Sequence, residues 1–196
     1  MSSLTKKMQY NSPVILSFFF ISLASLILGY ITGGLTTNAI FSVYRASLLS
    51  PLTYVRFFGH VLGHADLNHF LGNMLLLLVV GPPLEEKYGS FPLLDGIALT
   101  AIVSGLLQFI FFPGSALLGA SGIVFMLIML SSLAGAKEGK VPLTLILVAI
   151  LYLGQEVYSM VFVKDSVANF MHIVGGACGT AFGFMMIKRS KKNHYY

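Results

Sequence analysis

Apolar residues occupy this chain in long blocks separated by short polar breaks. Six blocks stand out, at roughly 13–33, 67–84, 92–112, 117–136, 141–163 and 167–187, each near the ~20 residues a helix needs to cross a bilayer core. Lipid offers the backbone no water to bond, so the blocks are expected as helices. The breaks carry helix-ending residues: Gly33-Gly34, Gly81-Pro82-Pro83 followed by Glu85-Glu86-Lys87, Pro113-Gly114-Ser115, the stretch around Lys137 and Lys140, and Lys164-Asp165. The pattern predicts an all-α polytopic membrane protein, with residues 1–196 forming one membrane domain. The first block follows Lys6 and Lys7, but it is long and lacks an Ala-x-Ala-like cleavage site, so it reads as a span and not as a signal peptide.

One connection departs from the pattern. Residues 34–66 are too many for a turn and are not polar, carrying Val43, Tyr44, Leu48, Leu49, Leu52, Tyr54, Val55, Phe57 and Phe58. Arg45, Pro51 and Arg56 argue against a seventh span. The segment is expected to lie in the outer interface, with its rings and Arg56 at headgroup level.

Composition supports the membrane class: 56% of the 196 residues are hydrophobic and 10% charged, with a mean hydropathy of +0.85. Soluble chains carry about a quarter charged residues. With both termini cytoplasmic, Lys6, Lys7, Lys87, Lys137, Lys140, Lys188, Arg189, Lys191 and Lys192 fall inside, leaving Arg45, Arg56 and Lys164 outside. The net charge of +5 therefore reads as topology and not as a nucleic-acid site. A basic tail of this kind can also bind anionic membrane lipids. Cys178 is the single cysteine, so no internal disulfide can form.

Polar side chains within spans are expensive and mark function. The densest cluster is His60-x3-His64-x4-His69-x3-Asn73, in which His69 and Asn73 are four apart and share a helix face. A zinc reading of His60-x3-His64 fails because Val61 stands where the helical metalloprotease signature has glutamate. Gly119-Ala120-Ser121-Gly122 lies at the start of the fourth span, just before the apolar run from Ile123. A serine at a helix start lies beside unpaired backbone N–H groups and the positive end of the helix dipole, the setting an acyl-transfer nucleophile needs. Gly119 and Gly122 leave room for close approach. From Ser121 to Ala136 the helix rises about 24 Å, against a core of about 30 Å, which submerges the serine below the outer surface. His172 lies about five residues into the last span, at a matching depth, and Gly175, Gly179 and Gly183 give that span a small-residue face for close helix packing. Asp95 reads as structural, while Gln155, Glu156 and Tyr158 fall near the outer end of the fifth span.

Taken together, Arg56, His60, His64, His69-x3-Asn73, Glu85, Gly89-Ser90, Gly119-x-Ser121-Gly122, Asn169-x2-His172 and Gly175-x3-Gly179 resemble the rhomboid intramembrane serine proteases of the compact six-helix bacterial type. The resemblance implies a rhomboid-like bundle of six transmembrane helices. It implies Ser121 as nucleophile, His172 as general base, and an oxyanion hole from His69, Asn73 and the Ser121 backbone N–H. It further implies membrane-spanning protein substrates, cleavage near the outer face with the fifth helix and its following loop controlling access, a bacterial inner-membrane location and no cofactor or metal. Three positions depart from the family pattern. Val55 stands where a tryptophan commonly precedes the loop arginine, Phe125 replaces the tyrosine that packs the catalytic histidine, and Met171 replaces alanine before His172.

The chemistry can be read beside the resemblance. A histidine near its ordinary pKa of about 6.5 can deprotonate a serine at neutral pH. No carboxylate is placed to orient His172, which favours a dyad over a triad. The competing classes are a noncatalytic rhomboid-like protein that binds transmembrane clients, whose members characteristically lose the serine or the histidine, and a small-solute transporter, whose internal repeats are not apparent here. The sequence leaves oligomeric state open.

Overall fold

The computed structural model describes residues 10–134, 136, 140–154, 158 and 166–192. Its helices are α1 Pro13–Ile31, α2 Leu35–Ala39, α3 Pro51–Gly59 running into a 3₁₀ turn at His60–Leu62, α4 Leu67–Tyr88, α5 Ser90–Phe111, α6 Ser121–Leu133, α7 Leu143–Val148 running on as a π-helical turn at Ala149–Leu153, and α8 Ser166–Lys192. The β structure among the described residues is one antiparallel bridge, Val43 with Leu117, closed by two N–H···O bonds of 2.9 Å. α1, α4, α5 and residues Val167–Met186 of α8 are long and apolar enough to cross a membrane. The protein is an all-helical integral membrane bundle.

α6 is its central post. Ile123, Val124, Met126, Leu127, Met129 and Leu130 are each at most 2% exposed, so this helix buries most of its surface, as a helix apolar nearly all round must. α1, α4, α5 and α8 pack around it or one another and turn Phe20, Ile21, Ile27, Leu75, Val79, Ile110 and Phe111 outward, where lipid replaces water as the solvent.

Several boundaries differ from the hydropathy blocks. α6 begins at Ser121 and not at 117, because Leu117 is held in the bridge to Val43 and Gly119 takes a φ of 124°, which a helix cannot include. α4 does not end at 84 but, with Pro82 and Pro83 inside it, runs on to Tyr88. The helix continues because Leu84 and Glu85, in its last turn, are both buried against the bundle. The 34–66 connection is largely structured, through α2, α3 and the 3₁₀ turn. Arg56 does not reach out to headgroups. It is 7% exposed, its Nε donates to the Ala39 carbonyl at 2.9 Å, and its guanidinium lies 4.4 Å from the Tyr44 ring centre. Arg45 stays exposed, with its guanidinium donating to the Phe109 carbonyl at 3.0 Å. Asp95 is exposed. Gln155, Glu156, Lys164 and Asp165 lie outside the described residues, as do Lys6, Lys7 and Lys137.

The end of the bundle opposite Ser121 is closed by one carboxylate. Ser12, at the start of α1, makes no side-chain capping bond. Glu85 supplies it from α4, accepting from the backbone N–H groups of Val14 and Ile15 at 2.9 and 3.0 Å and from the Ser90 hydroxyl at 2.7 Å. It thereby joins α1, α4 and the start of α5. Glu85→Ala strips one buried and two part-buried donors of their acceptor and is expected to destabilise the bundle by roughly 2–3 kcal/mol. Denaturation by increasing mole fractions of SDS in mixed micelles measures the shift.

Candidate active site

The site residues gather around the four-residue segment entering α6. Ala120 flanks the first turn and Val124 N–H bonds its carbonyl at 2.9 Å, so the N–H groups at the very start of α6 have no partner within the helix. Two contacts fix the segment before it: the Val43–Leu117 bridge, and the Gly119 N–H, which donates to the His60 carbonyl at 2.9 Å. The 3₁₀ turn therefore holds the backbone that aims Ser121. Ser121 itself is half-buried.

His69 and Asn73 approach the same segment from α4. A methyl group built on Gly119 would lie 2.7 Å from His69 Nε2 and 3.8 Å from Asn73 Nδ2. Glycine is thus favoured both by φ and by the His69 ring it faces. Asp66 caps α4, accepting from the His69 N–H at 2.8 Å, and this fixes the first turn that presents the imidazole. The Ala65 N–H points at His69 Nδ1 at 3.5 Å, which makes Nδ1 the acceptor and leaves the proton on Nε2, the atom facing Gly119. Asn73 is 7% exposed and its Nδ2 has no acceptor. Two N–H donors therefore converge on the serine's approach.

His172 arrives from α8 on the other side. Its ring stacks on Phe125 with centroids 4.5 Å apart and planes at 7°, and Phe125 lies one turn after Ser121. α6 and α8 meet backbone to backbone, since a Cβ at Gly175 would overlap the Gly122 carbonyl and one at Gly179 the Met126 carbonyl. The Met171 side chain is 2% exposed, and its carbonyl lies 3.6 Å from where a Cβ on Gly122 would stand. Close packing thus brings the start of α6 and the His172 turn of α8 together.

The other polar residues have separate duties. His60 is 1% exposed. Its Nδ1 faces the Arg56 carbonyl at 3.0 Å and its Nε2 the Ser104 hydroxyl at 3.2 Å, and a carbonyl can only accept, so Nδ1 carries the proton. Among the described residues no three His, Cys, Asp or Glu side chains gather as a metal site. Sequence reading missed Asp66 as the cap, Ser104 as the partner of His60, and Gln108, whose Nε2 donates to the Ser115 carbonyl at 3.1 Å and shapes the turn after α5. The Asp66-x2-His69 spacing was the readable signal for the first.

Burial pushes the pKa of His60 down from 6.5 to about 4. Above pH 6.5 the folded and unfolded forms are both neutral and this residue adds no pH dependence. Between 6.5 and 4 the unfolded chain takes up a proton that the fold refuses. Stability is expected to fall across that window by roughly 3 kcal/mol and to level off below it. His60→Gln should remove this residue's share of the fall in an SDS-unfolding series run from pH 7 to 4, leaving the share of His64, whose pKa burial also lowers to about 4.

A polytopic helical bundle that gathers half-buried histidine and serine side chains and a buried asparagine near one end of its spans defines a class of membrane proteins with an internal polar site. A family model described as the Rhomboid domain matches residues 51–189, and the chain belongs to the rhomboid family. It is 34% identical over 143 residues to Rhomboid-related protein 1 of Caenorhabditis elegans, covering 67% of this chain and 40% of that protein. It is 31% identical over 159 residues to Rhomboid-related protein 2 of Mus musculus, covering 70% and 52%. It is 29% identical over 185 residues to the Rhomboid protease GlpG of Pectobacterium atrosepticum, covering 90% and 63%. The chain spans about half the length of these curated relatives.

Proposed function

We propose that this chain is an intramembrane serine endopeptidase that hydrolyses peptide bonds in or near transmembrane segments of membrane proteins. Ser121 is the nucleophile and His172 the general base. The observation that carries the reading is the pairing of Phe125 stacked on His172 with His69 and Asn73 turned toward Gly119. Base and oxyanion donors thereby flank the same helix start.

His172 takes the Ser121 proton as Oγ attacks the scissile carbonyl. The oxyanion forms against the Ser121 N–H, the His69 Nε2–H and the Asn73 amide, which are oriented before charge develops. His172 then returns the proton to the leaving amine, and water hydrolyses the acyl-enzyme by the same base in a second round. Stacking on Phe125 orients the imidazole in place of a carboxylate, which makes the pair a dyad. Retention of both Ser121 and His172 favours this reading over a noncatalytic client-binding protein. The positive-inside asymmetry supports an orientation with both termini cytoplasmic and the site toward the outer face, and the resemblance to the compact bacterial type supports a bacterial inner-membrane location.

The test is a panel of single-span reporter proteins co-reconstituted with the chain in liposomes. Wild type is expected to cut a subset of them and Ser121→Ala none, with a fluorophosphonate probe labelling Ser121 in wild type alone. Retained cleavage by purified, folded Ser121→Ala ends the serine-protease reading. Absence of cleavage by wild type on every reporter, with intact binding, selects the client-binding class.

A further inference from the structure

Two cavities meet at the end of the bundle opposite Ser121, and they differ in chemistry. The first is an apolar groove of about 440 Å³ between α1, α5 and the 3₁₀ turn. Its floor is Phe18, Val61, Ile97 and Ala101, each at most 7% exposed, while Ile21, Phe58 and Leu94 at its rim are 48–50% exposed. The rim therefore opens to lipid hydrocarbon. The groove begins at Pro13 and Ser90, the first residues of α1 and α5, and reaches Ile21 and Ala101. The 3₁₀ turn stops it there, tied to α5 through His60 and Ser104. Along the two helices that length is about 12 and 16 Å, the depth of one leaflet of a core about 30 Å thick.

The second cavity, of about 550 Å³, shares Pro13 and Ser90 with the first. Asn11, Glu85, Glu86, Gly89 and Ser90 line it, and among the described residues no Lys, Arg or His does. Glu85 is engaged by α1 and Ser90. Glu86 is exposed, and Lys87 beside it lies over the Tyr88 ring, 5.5 Å from its centre. The opposite pole is the start of α5, where Gly89 provides no side-chain cap. The first N–H groups of this 22-residue helix have no acceptor within it, and its dipole favours an anion there. A carboxylate and a positive helix end within one polar cavity complement a zwitterion.

A polar cavity joined end-on to an apolar groove one leaflet deep has the division of an amphiphile. Its cationic end is specified further. The lining offers oxygen acceptors and, among the described residues, no aromatic ring. That suits a primary ammonium with its three N–H donors better than a quaternary ammonium, which aromatic faces hold. We propose that groove and cavity together bind one phosphatidylethanolamine from the leaflet opposite Ser121. One acyl chain lies in the groove, the phosphate sits at the start of α5, and the ammonium meets Glu86. An anionic headgroup is disfavoured, because it brings a phosphate beside two carboxylates with no cation to answer them. The site goes beyond the proposed proteolysis and does not depend on it.

Native mass spectrometry of the purified full chain tests the headgroup, with phosphatidylethanolamine, phosphatidylcholine and phosphatidylglycerol of identical acyl chains as probes. One phosphatidylethanolamine is expected to be held about 10-fold more tightly than either of the others, the scale of one charge-assisted hydrogen bond. Glu86→Gln is expected to erase the preference. Glu86→Lys is expected to turn it toward phosphatidylglycerol, a gain that misfolding cannot produce. For the groove, a phosphatidylethanolamine with a diazirine at mid-chain is expected to label α1 and α5 at the groove floor. Ala98→Phe, which fills the groove, is expected to remove most of that label and to leave the label on other spans unchanged. Equal affinity for the three lipids overturns the site, as does a preference that both Glu86 variants retain. Label spread evenly over the outward faces of α4 and α8 as well, or undiminished in Ala98→Phe, overturns the groove. No readout uses proteolysis, so an inactive wild type leaves the lipid result standing.

Discussion

His172→Ala is expected to lower reporter cleavage by about 10⁴-fold or more, the scale seen when one member of a nucleophile–base unit is removed. The bundle should survive, because α6 and α8 are held by the Gly175 and Gly179 backbone contacts and not by the imidazole. The loss is therefore chemical: the Ser121 proton has no acceptor, and fluorophosphonate labelling should nearly vanish with turnover. His69→Ala and Asn73→Ala belong to a different group. Each removes one donor from the developing oxyanion and leaves the serine and its base in place, so each is expected to slow turnover by about 10²- to 10³-fold while measurable labelling persists. Reporter kcat/KM and probe labelling, taken together on all three variants, separate the roles. A folded His172→Ala protein cutting within ten-fold of wild type would remove the general base from the scheme.

The second large effect is expected from a residue that touches no substrate. A Cβ at Gly175 would overlap the Gly122 carbonyl, and a carbonyl within a helix cannot rotate away, so Gly175→Ala must push α8 from α6. Overpacking of this kind costs about 1–3 kcal/mol. A displacement near 1 Å between Ser121 and His172 can lower the rate by about 10²-fold. Gly183→Ala is the control, because its new methyl meets the side-chain carbons of Leu133 and Leu130, which can shift. Gly183→Ala should keep most activity with a smaller stability loss. Equal activity in the two variants would show that the α6–α8 spacing does not set the site.

Hydropathy made the long spans of α1, α4, α5 and α8 legible, since twenty apolar residues in a row have few alternatives in a bilayer. It misjudged the entry to α6 because Leu117, Leu118 and Ala120 are as apolar as the helix that follows. What removes them from the helix is a bridge to Val43, 74 residues earlier, and the backbone angle of Gly119, neither of which has a hydropathy signature. The prolines at 82 and 83 pulled the expected end of α4 to 84, four residues short of Tyr88. They are strong local stop signals, overruled by burial of Leu84 and by the bonds Glu85 makes to α1 and Ser90. At the site, the residue types were readable because serine, histidine and asparagine are conspicuous in apolar surroundings. The supports were not, because His60 acts on Gly119 through its backbone carbonyl, and any residue has one of those.

The Glu85 clamp also orders events in time. α1 emerges from the ribosome 71 positions ahead of the carboxylate that accepts from Val14, so its first turn enters the membrane with those N–H groups unanswered. Until α4 has been synthesised and laid alongside, α1 is a span without its final hydrogen bonds, free to slide or tilt. Arrival of Glu85 sets its register, and the bundle is then indexed from the end opposite Ser121 before α6 and α8 have been made.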